Sequence, residues 1–232
     1  MTEKLIMTNL ENGIGELVLN RPDKRNSIIG PLVTEMDKAI QEMVANDSCN
    51  VIIIRGEQGY FCAGLDLKAF SEEPAPPWRE TFQDDWTKLH NTIYNCPKPI
   101  VGALEKFAIA GGSALAFACD FLVVGKGAFL QVAEVEMGLA APINVAWLNI
   151  RYPHALGLQM AVLGERTYGD ELLRLGIANQ CVEDDQVLKV TRELGRRLAD
   201  FNNDAVKKLK AGLRRTKEMG DFLQIVQEIK TV

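Results

Sequence analysis

The sequence predicts an α/β domain built on mostly parallel strands, and three observations carry that prediction. Short apolar, β-branched runs recur in the first half of the chain: NVIIIRG (50–56), KPIVGAL (98–104) and DFLVVG (120–125). Runs without a polar face suit strands covered on both sides. Segments of helical periodicity separate them, and two of the strand ends run into glycine-bearing turns, FCAGLDL (61–67) and IAGGSALAF (109–117).

The elements follow in order. IGELVLN (14–20) has the period-two pattern of a strand. RPDKRNS (21–27) punctuates the chain, and PLVTEMDKAIQEMVAND (31–47) sets Leu32, Met36, Ile40 and Met43 on one helical face. After the strand at 50–56, GEQGYFCAGLDLKAF leads to a proline-rich break, SEEPAPP. WRETFQDDWTKLHNTIYN (78–95) then repeats Trp78, Phe82, Trp86, Leu89 and Ile93 at helical spacing. An aromatic stripe of this kind suits core. From about residue 154 the pattern is helical: HALGLQMAVLGE, YGDELLRLGI, DDQVLKVTRELGRRLADF and DAVKKLKAGLRRTKEMGDFLQIVQEIK. Lys207, Lys208, Lys210, Arg214, Arg215 and Lys217 in the last segments read as a solvated face. The expected division is a core over 1–190 and a C-terminal helical segment over 191–232.

Composition excludes several classes. The 232 residues suffice for one sizeable domain, and 47% hydrophobic with 25% charged residues is the globular average. A net charge of −5 argues against nucleic acid as partner, because phosphate binding needs a clustered basic face. No apolar run reaches the roughly 20 residues of a membrane span, and the N-terminus lacks an export signature. Five scattered cysteines without a CxxC pair read as reduced thiols, which places the chain in the cytoplasm. His90 and His154 are too isolated for metal-ligand spacing, so no metal is expected. No G-x-G-x-x-G follows a strand, which counts against a dinucleotide-binding module.

The two glycine turns raise the functional question. At a strand-to-helix junction the first N–H groups have no intrahelical acceptor, and the helix dipole adds positive potential. Two such junctions side by side could aim two donors at one oxygen, forming an oxyanion hole. Taken alone they read rather as two tight turns in an α/β sheet. Likewise Glu134, read alone, is an exposed loop carboxylate, and the adjacent cations Lys24 and Arg25 suit either a polar surface turn or a phosphate-rich ligand.

LNRPDKRNS, FCAGLDL, AGGSALAFACD and AEVEMGLAAP, in this order and spacing, resemble the crotonase superfamily, or enoyl-CoA hydratase/isomerase family. The resemblance runs from about residue 5 to residue 200. It implies a crotonase-like spiral of ββα units with a C-terminal helical region, a homotrimer or hexamer, and an acyl-CoA thioester as substrate. No separate cofactor is implied, since coenzyme A arrives as part of the substrate. The backbone N–H groups of Leu65 and Gly111 match the family's oxyanion-hole donors. Asp23, Lys24 and Arg25 match the segment beside the nucleotide end of coenzyme A. Ala63, Gly64, Asp66 and Leu67 flank the pantetheine path, with Phe107 and Gly112 beside the second turn.

The resemblance assigns the proton-transfer group as well. Hydratases of the family carry a glutamate three residues beyond the second turn's glycine, where this sequence has Ala114. The second family glutamate matches Glu134, which has the required spacing to Gly138. Hydration divides water activation and proton delivery between two carboxylates, whereas moving a double bond needs one base to carry a proton from C2 to C4. The single glutamate and the AAPINVAWL segment (140–148) resemble the Δ3-Δ2-enoyl-CoA isomerases, so isomerisation is favoured. Hydratase, other lyase or hydrolase chemistry and non-catalytic acyl-CoA binding remain alternatives. The family's C-terminal helix commonly runs further than QEIKTV, so tail-derived coenzyme A contacts and the usual trimer packing are not expected to transfer directly.

Overall fold

A computed structural model of the chain describes residues 4–215 and Gln227. In chain order it runs β1 (Ile6–Glu11), β2 (Ile14–Leu19), α1 (Gly30–Ala45), β3 (Val51–Gly56), α2 (Leu67–Phe70), α3 (Phe82–Asn95) and β4 (Ile100–Leu104). Then come β5 (Phe107–Ile109), α4 (Gly111–Ala118), β6 (Phe121–Gly125), β7 (Phe129–Gln131), α5 (Pro142–Arg151) and α6 (His154–Leu163). The last elements are β8 (Thr167–Tyr168), α7 (Gly169–Arg174), β9 (Gln180–Val182), α8 (Val187–Ala199) and α9 (Asn203–Arg215). The predicted α/β class holds.

The six-stranded sheet has the order β1-β2-β3-β4-β6-β9, parallel from β2 onward. Its apolar strands serve two cores. Ile52, Ile54, Ile100, Leu104, Leu122 and Val124 face the large core shared with α1, α3 and α4. Their neighbours Val51, Ile53, Val101, Ala103 and Val123 face a smaller core covered by Val187, Val190, Leu194 and Leu198 of α8. Successive side chains point to opposite faces, so a strand with a helix on each side needs no polar position. The residue 190 boundary falls inside α8, which lies on the sheet. Strand β2 is buried at all six positions, although its sequence alternates, because both faces are covered.

The hairpin β1–β2 is antiparallel and turns at Asn12 (φ 51°) and Gly13 (φ 78°). Positive φ at both turn residues is what Asn-Gly supplies in a type I′ hairpin. Trp78 lies outside α3, in a 3-10 turn (Pro77–Arg79), where its ring meets Phe70 and Phe82 at 5.8 Å. Lys210 departs from the solvated-face reading: its ammonium reaches the Asp120 carboxylate and donates to the Lys98 carbonyl at 2.8 Å. Lys217 lies outside the described residues.

A three-stranded sheet, β5-β7-β8, stands beside the main one. The segment from Cys62 to Asp66 is threaded between it and Ile28. Cys62 N donates to Phe107 O and Ile109 N to Cys62 O, while Ile28 N donates to Gly64 O and Asp66 N to Ile28 O. That threading brings the first glycine turn against the second.

Candidate active site

Each turn presents one peptide N–H whose direction is set by its carbonyl partner. The Gly64 carbonyl accepts from Ile28 N at 2.8 Å. In a planar trans peptide the following N–H points the opposite way, so Leu65 N–H points away from Ile28. The Ala110 carbonyl accepts from Ser113 N (2.9 Å), Ser113 Oγ (2.6 Å) and Asn144 Nδ2 (3.0 Å), which directs Gly111 N–H away from α4. Among the described residues neither Leu65 N–H nor Gly111 N–H donates to a protein acceptor. The turns touch: a Cβ built on Gly64 would lie 3.5 Å from Gly111 N.

Glycine is required here for two reasons. Gly64 has φ +83°, a conformation that L side chains rarely adopt. Gly112 lies in the first turn of α4, against the first glycine turn, and a Cβ on it would collide with the Cys62 carbonyl. Ala110 keeps its Cβ at φ 51°, ψ −118°, a strained pair for a residue other than glycine.

Glu134 starts a 3-10 turn (Glu134–Met137) that closes on left-handed Gly138. Its Oε1 accepts from Asn144 Nδ2 at 2.8 Å, and its Oε2 is buried without a partner among the described residues. Burial pushes its pKa above the ordinary carboxylate value, opposed by bonds from its own backbone N–H and from Asn144. Asn144 is buried on α5 and also faces Ser113 Oγ through its Oδ1 at 2.9 Å. Glu134 is thereby tied, through one amide, to the peptide that carries Gly111 N–H. Buried Ala114 presents only a methyl group on α4.

The other sequence-selected residues divide. Asp23, Lys24 and Arg25 are exposed around the 3-10 turn Pro22–Lys24, and Arg25 O accepts from Ala63 N, which joins this loop to the first turn. The Asp66 carboxylate is taken up by the fold: it pairs with Arg21 (3.1 Å) and Ser27 (3.3 Å) and caps α2 through Ala69 N (3.1 Å). These bonds hold its pKa below the ordinary carboxylate value even though burial opposes them. Leu67 is exposed, and the Phe107 ring packs on Tyr60 and Phe129. Trp86 belongs to the core, and its Cζ2 would be 3.5 Å from a Cβ on Gly111. His90 is buried core: its Nδ1 accepts from Trp147 Nε1 at 2.8 Å, and burial lowers its pKa to about 3. Among the described residues no cluster of three or more His, Cys, Asp or Glu could hold a metal, and no helix is long and apolar enough to cross a membrane.

Sequence reasoning missed Ser113 and Asn144. The signal was present, since Ser113 is the one hydroxyl in FAIAGGSALAFAC and Asn144 shares its helical face with Trp147 and Leu148.

The sequence profile described as enoyl-CoA hydratase/isomerase matches residues 9–231. The chain belongs to the enoyl-CoA hydratase/isomerase family. This family member is 31% identical over 221 residues to the carnitinyl-CoA dehydratase of Proteus mirabilis (strain HI4320), spanning 94% of this chain and 83% of that one. It is 28% identical over 201 residues to the mitochondrial Delta(3,5)-Delta(2,4)-dienoyl-CoA isomerase of Homo sapiens, spanning 80% and 60%. An enoyl-CoA hydratase/isomerase structure from Xanthobacter autotrophicus Py2 superposes with TM-score 0.88 at 25% identity, over 98% of this chain and 85% of that one. An enoyl-CoA hydratase from Mycobacterium smegmatis, 22% identical with TM-score 0.85 over 99% and 90%, shares the fold. The family and its crotonase fold are therefore as the motifs implied. Relatives named as a dehydratase and as an isomerase both occur, so likeness does not separate the two reactions.

Proposed function

We propose that this protein acts on an acyl-CoA thioester, holding an enolate oxygen with Leu65 and Gly111 N–H and moving a proton with Glu134. The carrying observation is the Glu134 carboxyl: one oxygen is held by Asn144 and the other is buried and unpartnered. A desolvated carboxylate with a raised pKa is a stronger base than one in water, and the reaction operates nearer to its pKa. In the favoured reaction Glu134 takes a proton from C2 of a 3-enoyl thioester. The C2–H electron pair flows into the conjugated dienolate, whose negative oxygen meets the two N–H donors. Glu134 then returns the proton at C4 and leaves a 2-enoyl product. The step balances without a cofactor beyond the coenzyme A of the substrate.

Asp23, Lys24 and Arg25 are assigned to the nucleotide end of coenzyme A, and Ala63, Gly64, Leu67, Phe107 and Gly112 to the flanks of the thioester path. A homotrimer or hexamer is the assembly we assign. Five free thiols fit a reducing compartment, and we assign the cytoplasm. Hydration or dehydration is the second reading, favoured by the 31% identity to a carnitinyl-CoA dehydratase.

The test is a panel of 3-enoyl-, 2-enoyl-, 3-hydroxyacyl- and malonyl-type CoA thioesters with product analysis, run on the parent and on Glu134→Gln. The expected result is 3-enoyl turnover that falls by at least ~10²–10⁴-fold in the variant while thioester binding persists. Efficient hydration by the parent would replace the isomerase reading. Binding without turnover of any member would replace catalysis by acyl-CoA binding.

A further inference from the structure

We propose that Asn144 is a positioning residue that holds the proton shuttle and one oxyanion donor in fixed relation to each other. The inference rests on the reading of Glu134 and Gly111 given above and adds a residue to it.

Three observations carry it. Asn144 Nδ2 faces two acceptors, Glu134 Oε1 at 2.8 Å and Ala110 O at 3.0 Å, while its Oδ1 faces the Ser113 hydroxyl at 2.9 Å. Reversing the amide would set an oxygen against both acceptors, so the surroundings determine its orientation. Secondly, Ala110 O and Gly111 N–H belong to one peptide unit, and anchoring the oxygen aims the N–H. Ala110 is held at φ 51°, ψ −118°. Rotating the following peptide would carry Ala110 toward the less strained left-handed region and swing Gly111 N–H away from the turn. Asn144 and Ser113 supply the side-chain bonds that oppose this rotation. Thirdly, fixing Glu134 Oε1 leaves the buried, unpartnered Oε2 as the atom that exchanges the proton.

The experiment combines ¹³C-carboxyl titration of glutamate-labelled full-length protein with steady-state kinetics on the thioester the parent turns over. The Glu134 signal is the one lost in Glu134→Gln. Asn144→Leu removes both donors and keeps bulk, and Asn144→Asp keeps the shape and the Ser113 partner while removing the donors. In Asn144→Leu the Glu134 titration is expected to move to higher pH because a bond to the charged form is gone, and in Asn144→Asp further still because a second carboxylate then faces Glu134. kcat should fall by about 10²-fold with KM within about threefold, as for misplaced catalytic groups. Ser113→Ala, which leaves the Glu134 bond intact, should lower kcat by less and leave the titration in place. A purely structural role would lower the melting temperature without moving the titration. Parent-like titration and kcat in a folded Asn144→Leu or Asn144→Asp protein would overturn the inference. A fully active Glu134→Gln enzyme would instead overturn the underlying assignment of the base.

Discussion

Gly64 and Gly111 meet so closely that a Cβ on Gly64 would stand 2.9 Å from the Ile109 carbonyl oxygen and 3.5 Å from the Gly111 nitrogen. The two chain segments come from different strand ends, and the absence of a side chain on Gly64 lets the first turn approach the second.

Gly64→Ala adds both a backbone clash and a side chain at φ +83°. Stability should fall by about 1–3 kcal/mol, read as a shift of the denaturation midpoint. Turnover should fall further than the folded fraction accounts for. An alanine variant matching the parent in both would contradict the close approach.

Glu134 should make stability and activity depend on pH in opposite ways. Burial raises its pKa above the ordinary 4.5, so the folded state holds the proton more tightly than the unfolded chain. Its favourable contribution is complete below 4.5 and is lost as pH rises through the raised value. Glu134→Gln should therefore gain stability relative to the parent as pH rises from below 4.5 through the raised value, checked by paired denaturant titrations. A constant difference across that range would show that no charge is being buried. In the proposed mechanism the rate has the reverse sign, because Glu134 must be ionised to take the proton. On the acid side kcat/KM should decline at a pH above the usual glutamate value.

Ala110→Gly relieves a strained φ/ψ pair but increases the freedom of the unfolded chain. Relief of the strain outweighs the added chain freedom, so the variant should be more stable by about 1 kcal/mol, seen as a higher melting temperature. Turnover should not rise with it, since the looser peptide gives up some aim. A destabilised glycine variant would show that the conformation carries little strain.

Thiol chemistry tests the core. Cys49, Cys62, Cys96 and Cys119 are buried, and burial pushes Cys62 and Cys119 up to about 12. Cys181 is half-buried, with desolvation and its bond to Asp170 raising it to about 11. A disulfide reagent at pH 8 should modify Cys181 slowly and alone in the native protein, and all five thiols in denaturant. Fast native reaction at a second cysteine would disprove the packing around it.

What was legible in the sequence followed from burial. Strands such as Val51–Gly56 read clearly because four successive β-branched apolar residues, Val51 to Ile54, have few other uses, and Leu32, Met36, Ile40 and Met43 marked a helix that buries all four. The β1–β2 hairpin escaped notice because Ile6–Glu11 is mostly exposed, although Asn12-Gly13 was its turn signal. β9 is three half-buried residues, and it joins the sheet through pairing with β6 that no local pattern encodes. At the site, the glycine spacing marked the two turns. Asn144 was hidden because its worth depends on Glu134 and Ala110, ten and thirty-four positions away.

The two unspent donors belong to the main chain, and this changes what heredity can do to them. No codon change at position 65 or 111, short of one to proline, deletes an N–H. Leu65 could be exchanged for many residues and the hydrogen would remain. What mutation can reach is the aim, through the groups that grip the carbonyls on the far side of each peptide: Ile28 N for one, Ser113 and Asn144 for the other. A lineage built this way can exchange the side chains around the two turns while both N–H groups are passed on intact.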